Sequence, residues 1–316
     1  MENLTLNEDL LILEGLKVTS QFKTPAFILL LLLSFIFIIV SNMGLVVLIF
    51  RSRSLRQPMY LLFCNLVIND IFGAAIIIPH VLKDILILHS ERYIHYINCV
   101  AQSFCVHFHG IASHTVLMVM AFDRYQAICN PLRYTSIMTN RMVVKLSVVA
   151  WGSAFVMVVI PTGLTVRLSR CRRIIPNLFC DNASLFNLSC ENIFIDNIYS
   201  LAYTVLLLSS SIGSVTLTYL KIAAVCVRSK SKSLNRKALQ TCASHLALYV
   251  LLVALGFIVI ILHRFPQFSD HRKIVTVMGH IIIPALNAVI YGVQIKEIRQ
   301  TIKALFHIHK VALKGK

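Results

Sequence analysis

Apolar residues along this chain gather in long unbroken runs. Seven runs reach about 20 residues, the length a helix needs to cross roughly 30 Å of hydrocarbon at about 1.5 Å per residue. They extend from Pro25 to Phe50, Pro58 to Leu82, Tyr96 to Phe122, Leu146 to Val166, Ile198 to Leu220, Ala238 to Leu262 and Ile274 to Ile295. Hydrocarbon offers backbone amides no partner, so such runs must be helices, and the strand alternation of a membrane barrel is not in the sequence. The pattern predicts an all-α protein: an extracellular N-terminus at 1–24, a seven-transmembrane helix bundle at 25–295, and a cytoplasmic tail at 296–316. In the tail, Ile295, Ile298, Ile302, Leu305 and Phe306 share one helical face, with Lys296, Arg299, Lys303 and Lys310 around it. That spacing predicts a short amphipathic helix lying in the inner membrane surface.

Composition agrees with a membrane protein. The 316 residues are 57% hydrophobic and 14% charged with mean hydropathy +0.77, which excludes a disordered chain and an ordinary soluble domain. A net charge of +17, from 30 Lys+Arg against 13 Asp+Glu, would elsewhere suggest a nucleic-acid partner. Here its location matters. Arg51, Arg53 and Arg56 follow the first run, and Arg124, Arg133, Arg141 and Lys145 bracket the loop after the third. Lys221, Arg228, Lys230, Lys232, Arg236 and Lys237 follow the fifth, and Lys296, Arg299, Lys303, Lys310, Lys314 and Lys316 follow the seventh. These 19 face only Asp123 and Glu297, whereas the other side carries 11 basic and 10 acidic residues. The positive-inside rule then places the N-terminus outside and the tail in the cytoplasm of a multi-pass plasma-membrane protein. The excess needs no nucleic acid and suits anionic lipids.

Residues Met1 to Thr24 include Glu2, Glu8, Asp9 and Glu14 and lack a basic start followed by an apolar core, so no cleavable signal is expected. Asn3, in Asn-Leu-Thr, is the expected glycosylation site; Asn182 and Asn187 also fit the triplet but lie in a crowded loop. Of nine cysteines, Cys99, Cys171, Cys180 and Cys190 fall on the outer side, where disulfides persist. Four cysteines allow three pairings, and the spacing alone leaves all three open.

Polar residues at membrane depth are costly and mark function. Asp70 lies midway along the second run, near Asn65 and Asn69, with Asn42, Ser113 and Asn287 at comparable depth. They predict a polar cluster that either holds water or a small cation or ties helices together. Asp123-Arg124-Tyr125 closes the third run, and its adjacent opposite charges could mask an arginine until a cytoplasmic partner needs it. His107, His109 and His114 lie in the third run and His280 in the seventh, and His107, Gly110, Ile111 and His114 share one helical face. The spacing of these histidines is not that of a metal site, so they read as cavity-lining or bundle-facing groups, and neither metal nor cofactor is expected.

Four stretches carry a resemblance. Pro58-Met59-Tyr60-Leu61, the run from Met120-Ala121-Phe122-Asp123-Arg124-Tyr125 to Asn130-Pro131-Leu132-Arg133-Tyr134, Lys237-Ala238-Leu239-Gln240-Thr241-Cys242-Ala243-Ser244-His245-Leu246, and Pro284-Ala285-Leu286-Asn287-Ala288-Val289-Ile290-Tyr291 closely resemble signatures of odorant receptors, the olfactory branch of rhodopsin-like G-protein-coupled receptors. The resemblance implies disulfides Cys99–Cys180 and Cys171–Cys190, and an activation core of Asn42, Asp70, Ser113, Asn287 and Tyr291. It further implies a G-protein-facing switch of Asp123, Arg124, Tyr125 and Tyr219, with Trp151 packing the fourth helix. It also implies a small odorant in the outer half, moving the inner end of the sixth helix outward to admit a stimulatory, olfactory-type heterotrimeric G protein. Candidate lining residues are His107, Gly110, Ile111, His114, Tyr203, Leu207, Gly256, Phe257, Ile260, Val277 and His280. Val106 stands where amine receptors carry an aspartate, which disfavours an amine ligand. Ala288, Ser113 and Leu252-Val253-Ala254 depart from the usual pattern and suggest a divergent branch, such as a fish repertoire holds.

Other classes fit less well. A transporter would carry internal repeats and broken helices paired between halves. An intramembrane enzyme would need a nucleophile with a base, paired carboxylates or a metal motif at depth. A non-olfactory receptor of the same class, for another small ligand, is the nearest alternative.

Overall fold

The computed structural model describes residues 9–15, 23–87, 92–228, 232–294 and 299–300. Asn3 and, beyond a helical pair at 299–300, the expected amphipathic helix lie outside the described residues. The chain runs β1 (Leu10–Leu13), α1 (Lys23–Arg51), α2 (Pro58–Leu86), β2 (Tyr93–His95), α3 (Tyr96–Cys129), α4 (Tyr134–Ile137), α5 (Asn140–Val166), β3 (Ile174–Ile175), α6 (Asn182–Phe186), α7 (Phe194–Arg228), α8 (Lys232–His263) and α9 (Ser269–Gln294). All but the short α4 and α6 are long and apolar enough to span a membrane, so the fold is a seven-transmembrane helix bundle.

Local chemistry fixes several boundaries. Pro58 opens α2, where its missing N–H costs nothing, and holds Gln57 before it in extended geometry. Thr139 caps α5, its hydroxyl oxygen accepting the Met142 N–H at 3.3 Å. Pro79, Pro161 and Pro284 sit inside helices, each removing one backbone donor where neighbouring spans can cover the freed carbonyl.

The bundle is apolar outside as well as inside. Leu29, Val40, Leu206, Leu220 and Ile261 are each more than half exposed, a liability in water but the normal face toward lipid. α2 and α3 are the most buried spans. α1 packs on α2, α3 on α5 and α7, and α8 on α9. Ala112 and Ala154, both fully buried, let α3 and α5 approach closely beside Ile111, Val158 and Leu207.

One end of the bundle is capped. β1 lies between β2, antiparallel with Leu11 opposite Ile94, and β3, parallel with Ile12 beside Ile174. Its alternation sends Leu11 and Leu13 into a small core with Cys99, Ile175, Cys180, Leu185 and Leu188. Cys99 is joined to Cys180 and Cys171 to Cys190, with Cα atoms 5.3 and 5.8 Å apart. Lys273, at the start of α9, is wholly buried beneath this cap. Its ammonium donates to Gly15 O at 3.0 Å and meets Glu14 at 3.2 Å and Asp270 at 3.5 Å. Arg170 pairs with Asp9 at 3.1 Å and lies over the Tyr96 ring. Sequence periodicity did not signal the sheet, and it counted Lys273 among ordinary surface charges; both depend on partners far away in the chain.

Candidate functional site

Beneath the cap, α3, α7, α8 and α9 enclose a cavity of about 310 Å³. Its ceiling is the loop pinned by Cys180. The Cys180 N–H donates to Gln102 Oε1 at 2.9 Å, and the Asn182 N–H donates to His107 Nε2 at 3.2 Å. Ser103 donates to Asn182 Oδ1 at 2.7 Å. Phe179, almost fully buried, meets the His280 ring edge-on. The wall is mostly aliphatic, interrupted by a few polar groups, as small-molecule pockets usually are.

Nine expected residues line this cavity: His107, Gly110, Ile111, His114, Tyr203, Leu207, Gly256, Ile260 and His280. Phe257 and Val277 do not. Gly256 and Ile260, four apart, share a face of α8, and one step of about 100° turns Phe257, 43% exposed, toward lipid. Val277 follows Thr276 on α9 by the same step and packs instead with Ile77, Phe179 and Ile281. His109, named in the sequence among the histidines of the third run but not among the lining residues, is also on the wall, and Leu252, Leu255, Val259 and Thr276 were missed.

His109 bridges the cavity to α2. Its Nδ1 meets Asn69 O at 2.9 Å, and its ring lies over Gly73, where an added Cβ would come within 2.5 Å of it. Here glycine permits the approach. His114 Nδ1 meets Ser211 Oγ at 3.1 Å, and that hydroxyl meets Tyr249 OH at 2.8 Å, linking α3, α7 and α8.

Deeper in the bundle, Asn287 Nδ2 donates to Asp70 Oδ2 at 2.8 Å, joining α9 to α2. Asn69 Nδ2 donates to Ser113 Oγ at 2.9 Å and to His109 O at 3.0 Å. Asn42 Nδ2 donates to Ile38 O at 2.9 Å and reaches Pro284 O at 3.5 Å. Thus Ser113 joins Asn69 rather than Asp70. Trp151 packs α5 against α2 by donating to Asn65 Oδ1 at 3.0 Å.

At the far end, Arg124 is ion-paired with Asp123, its Nε donating at 3.0 Å. Tyr134 OH donates to the other Asp123 oxygen at 2.9 Å. Burial, then the neighbouring carboxylate, pushes the Tyr134 phenol above its ordinary pKa, so it remains a donor. Tyr125 and Tyr219 pack around Ile222, Cys226 and Cys242, and Tyr125 lies 5.6 Å from the Lys221 ammonium. Tyr291 OH meets His245 Nε2 at 2.9 Å and its ring packs on Phe63, tying α9 to α8 and α2. Tyr134 and His245 were quoted in the sequence motifs without a role.

Seven apolar spans thus carry a cavity beneath the cap at one end and an arginine ion-paired with its neighbouring aspartate at the other. The sequence profile of the olfactory receptor family matches residues 31–309. Similar proteins include human Olfactory receptor 8U1, 32% identical with 93% of this chain and 94% of that protein aligned. Human Olfactory receptor 52D1 is 31% identical over 87% of each chain, and mouse Olfactory receptor 4M1 is 32% identical over 93% of each. The chain belongs to the olfactory receptor family, a family of receptors rather than enzymes.

Proposed function

We propose that this receptor binds a small, mainly apolar odorant in the cavity beneath the cap and activates a stimulatory, olfactory-type heterotrimeric G protein at the opposite end. One observation carries the reading: α3, α7, α8 and α9 wall the cavity, and the same helices carry Arg124, Tyr219, His245 and Tyr291 at the far end. A ligand that fits the cavity better when the far end is open shifts the population by that difference in affinity alone. Opening separates α8 from α3, frees Arg124 from Asp123 and Tyr134, and exposes the cleft that the G protein enters. The basic linkers support a cytoplasmic position for that end and a cap outside the plasma membrane.

The test is an odorant panel on cells expressing the receptor with an olfactory-type G protein, reading cyclic nucleotide. A saturable response to at least one odorant, abolished by Arg124→Ala at unchanged surface level, is expected. Either no response across the panel or full signalling by the variant refutes the reading.

A further inference from the structure

The geometry points to an uncharged odorant carrying an O–H donor, an alcohol or a phenol, recognised by the Nε2 atoms of His109 and His280. This rests on the cavity being the odorant site, as proposed above. The two rings stand on opposite helices, α3 and α9, with centroids 5.5 Å apart. Each Nδ1 faces a backbone carbonyl: Asn69 O at 2.9 Å for His109 and Thr276 O at 2.7 Å for His280. A carbonyl only accepts, so each Nδ1 must carry the ring proton. Each neutral ring is then left with a lone pair on Nε2, which has no hydrogen-bond partner among the described residues.

The neighbouring hydroxyls cannot meet that demand. Ser113 donates to His109 O at 2.9 Å, and Thr276 to Arg272 O at 2.8 Å. The remaining donors, the Tyr203 hydroxyl and the Nδ1–H of His107, belong to α7 and to the ring under Asn182. Among the described residues no carboxylate lines the wall, so none there balances an ammonium ligand. An ether or carbonyl oxygen presented to this pair meets two acceptors and repels them. A hydroxyl satisfies one and interacts weakly with the other. Between His109 and His280 the ligand's polar end thus meets acceptors alone.

The experiment uses matched triplets of primary alcohol, methyl ether and aldehyde on linear, cyclic and aromatic skeletons of about eight to twelve carbons, a size suited to a cavity this small. Potency is read by cyclic nucleotide in cells with surface level measured in parallel. In the wild type, the best alcohol is expected to be about tenfold more potent than its ether and aldehyde. His280→Phe should remove that preference, and His280→Gln, which keeps an acceptor, should restore it. Equal potency within triplets, or an alcohol preference that survives His280→Phe, overturns the inference while leaving the odorant reading intact. Loss of the alcohol response on chelating copper and zinc overturns it in favour of a metal bridged by the two imidazoles. Silence to every compound by a receptor at the surface defeats both readings.

Discussion

Gly256 and Phe257 adjoin in sequence yet serve different surroundings, one on the cavity and one toward lipid. At Gly256 an added Cβ meets nothing within 4 Å, so the helix accepts a side chain whose bulk enters the ligand's space. Gly256→Val is expected to lower odorant potency about tenfold, comparable to the cost of overpacking a pocket, while Phe257→Ala changes it less than about twofold. Dose–response curves normalised to surface level check the contrast; equal effects would contradict the placement. At the far end, Tyr134→Phe deletes a hydrogen bond to a buried carboxylate, worth roughly 1.5–3 kcal/mol. The masked state loses a contact, so basal cyclic nucleotide should rise about tenfold, and an unchanged basal level would remove Tyr134 from the switch. Helical spacing on α3 made His107, Gly110, Ile111 and His114 legible as one face. The rotation of α8 was not legible, because its all-apolar outer half has no polar stripe to show which side turns inward, whereas on α9 Thr276, His280 and Asn287 mark the inward side and exclude Val277.

At the scale of elements, the seven spans were legible because length and hydropathy suffice where the solvent is hydrocarbon. The three-stranded cap was not. Leu10–Leu13 is four residues long, and its partners at Tyr93–His95 and Ile174–Ile175 are reached only through the fold. Lys273 shows the same limit, since the Glu14 carboxylate and Gly15 carbonyl that make its burial tolerable come from the start of the chain. Glu14→Ala should therefore destabilise the purified receptor by about 1–3 kcal/mol, less than loss of a wholly buried partner because Glu14 is 29% exposed and Asp270 remains. Lys273→Met, which removes the charge itself, should cost less; thermal melting of both variants reverses or upholds that order. Of the two disulfides, Cys99–Cys180 spans 81 residues and Cys171–Cys190 spans 19, and only the first ties the loop to α3. Cys99→Ser or Cys180→Ser should block surface delivery, and Cys171→Ser should reduce it less.

The Glu191 carboxylate accepts from the Ser169 side chain and N–H, which hold its pKa below the ordinary value. A lowered value means that this contact stabilises the loop fully above the normal glutamate range and is lost as pH falls through the lowered value. The loop's hydrogen-exchange protection, measured relative to the intrinsic rate at each pH, should fall on acidification in the wild type, and Ser169→Ala should blunt that dependence.

For the whole molecule, the +17 charge fits the proposed orientation. Positive charge gathers in the linkers of the Arg124 end, and the cap balances Asp9, Glu14 and Asp84 against Arg170, Lys273 and Arg92. A tag before Asn3 should be labelled on intact cells and a tag after Lys316 only after permeabilisation; the reverse would invert the proposed orientation. In the proposed function α3, α7, α8 and α9 join an odorant cavity at one end to a G-protein cleft at the other. Spin labels at the far ends of α3 and α8, in purified receptor with its G protein, measure that link directly. An odorant identified by the panel is expected to lengthen this distance by roughly 5 Å, about half a helix diameter, and Gly256→Val to suppress the change at the same odorant concentration. An unchanged distance in an odorant-saturated, G-protein-bound receptor would refute the coupling of cavity and cleft.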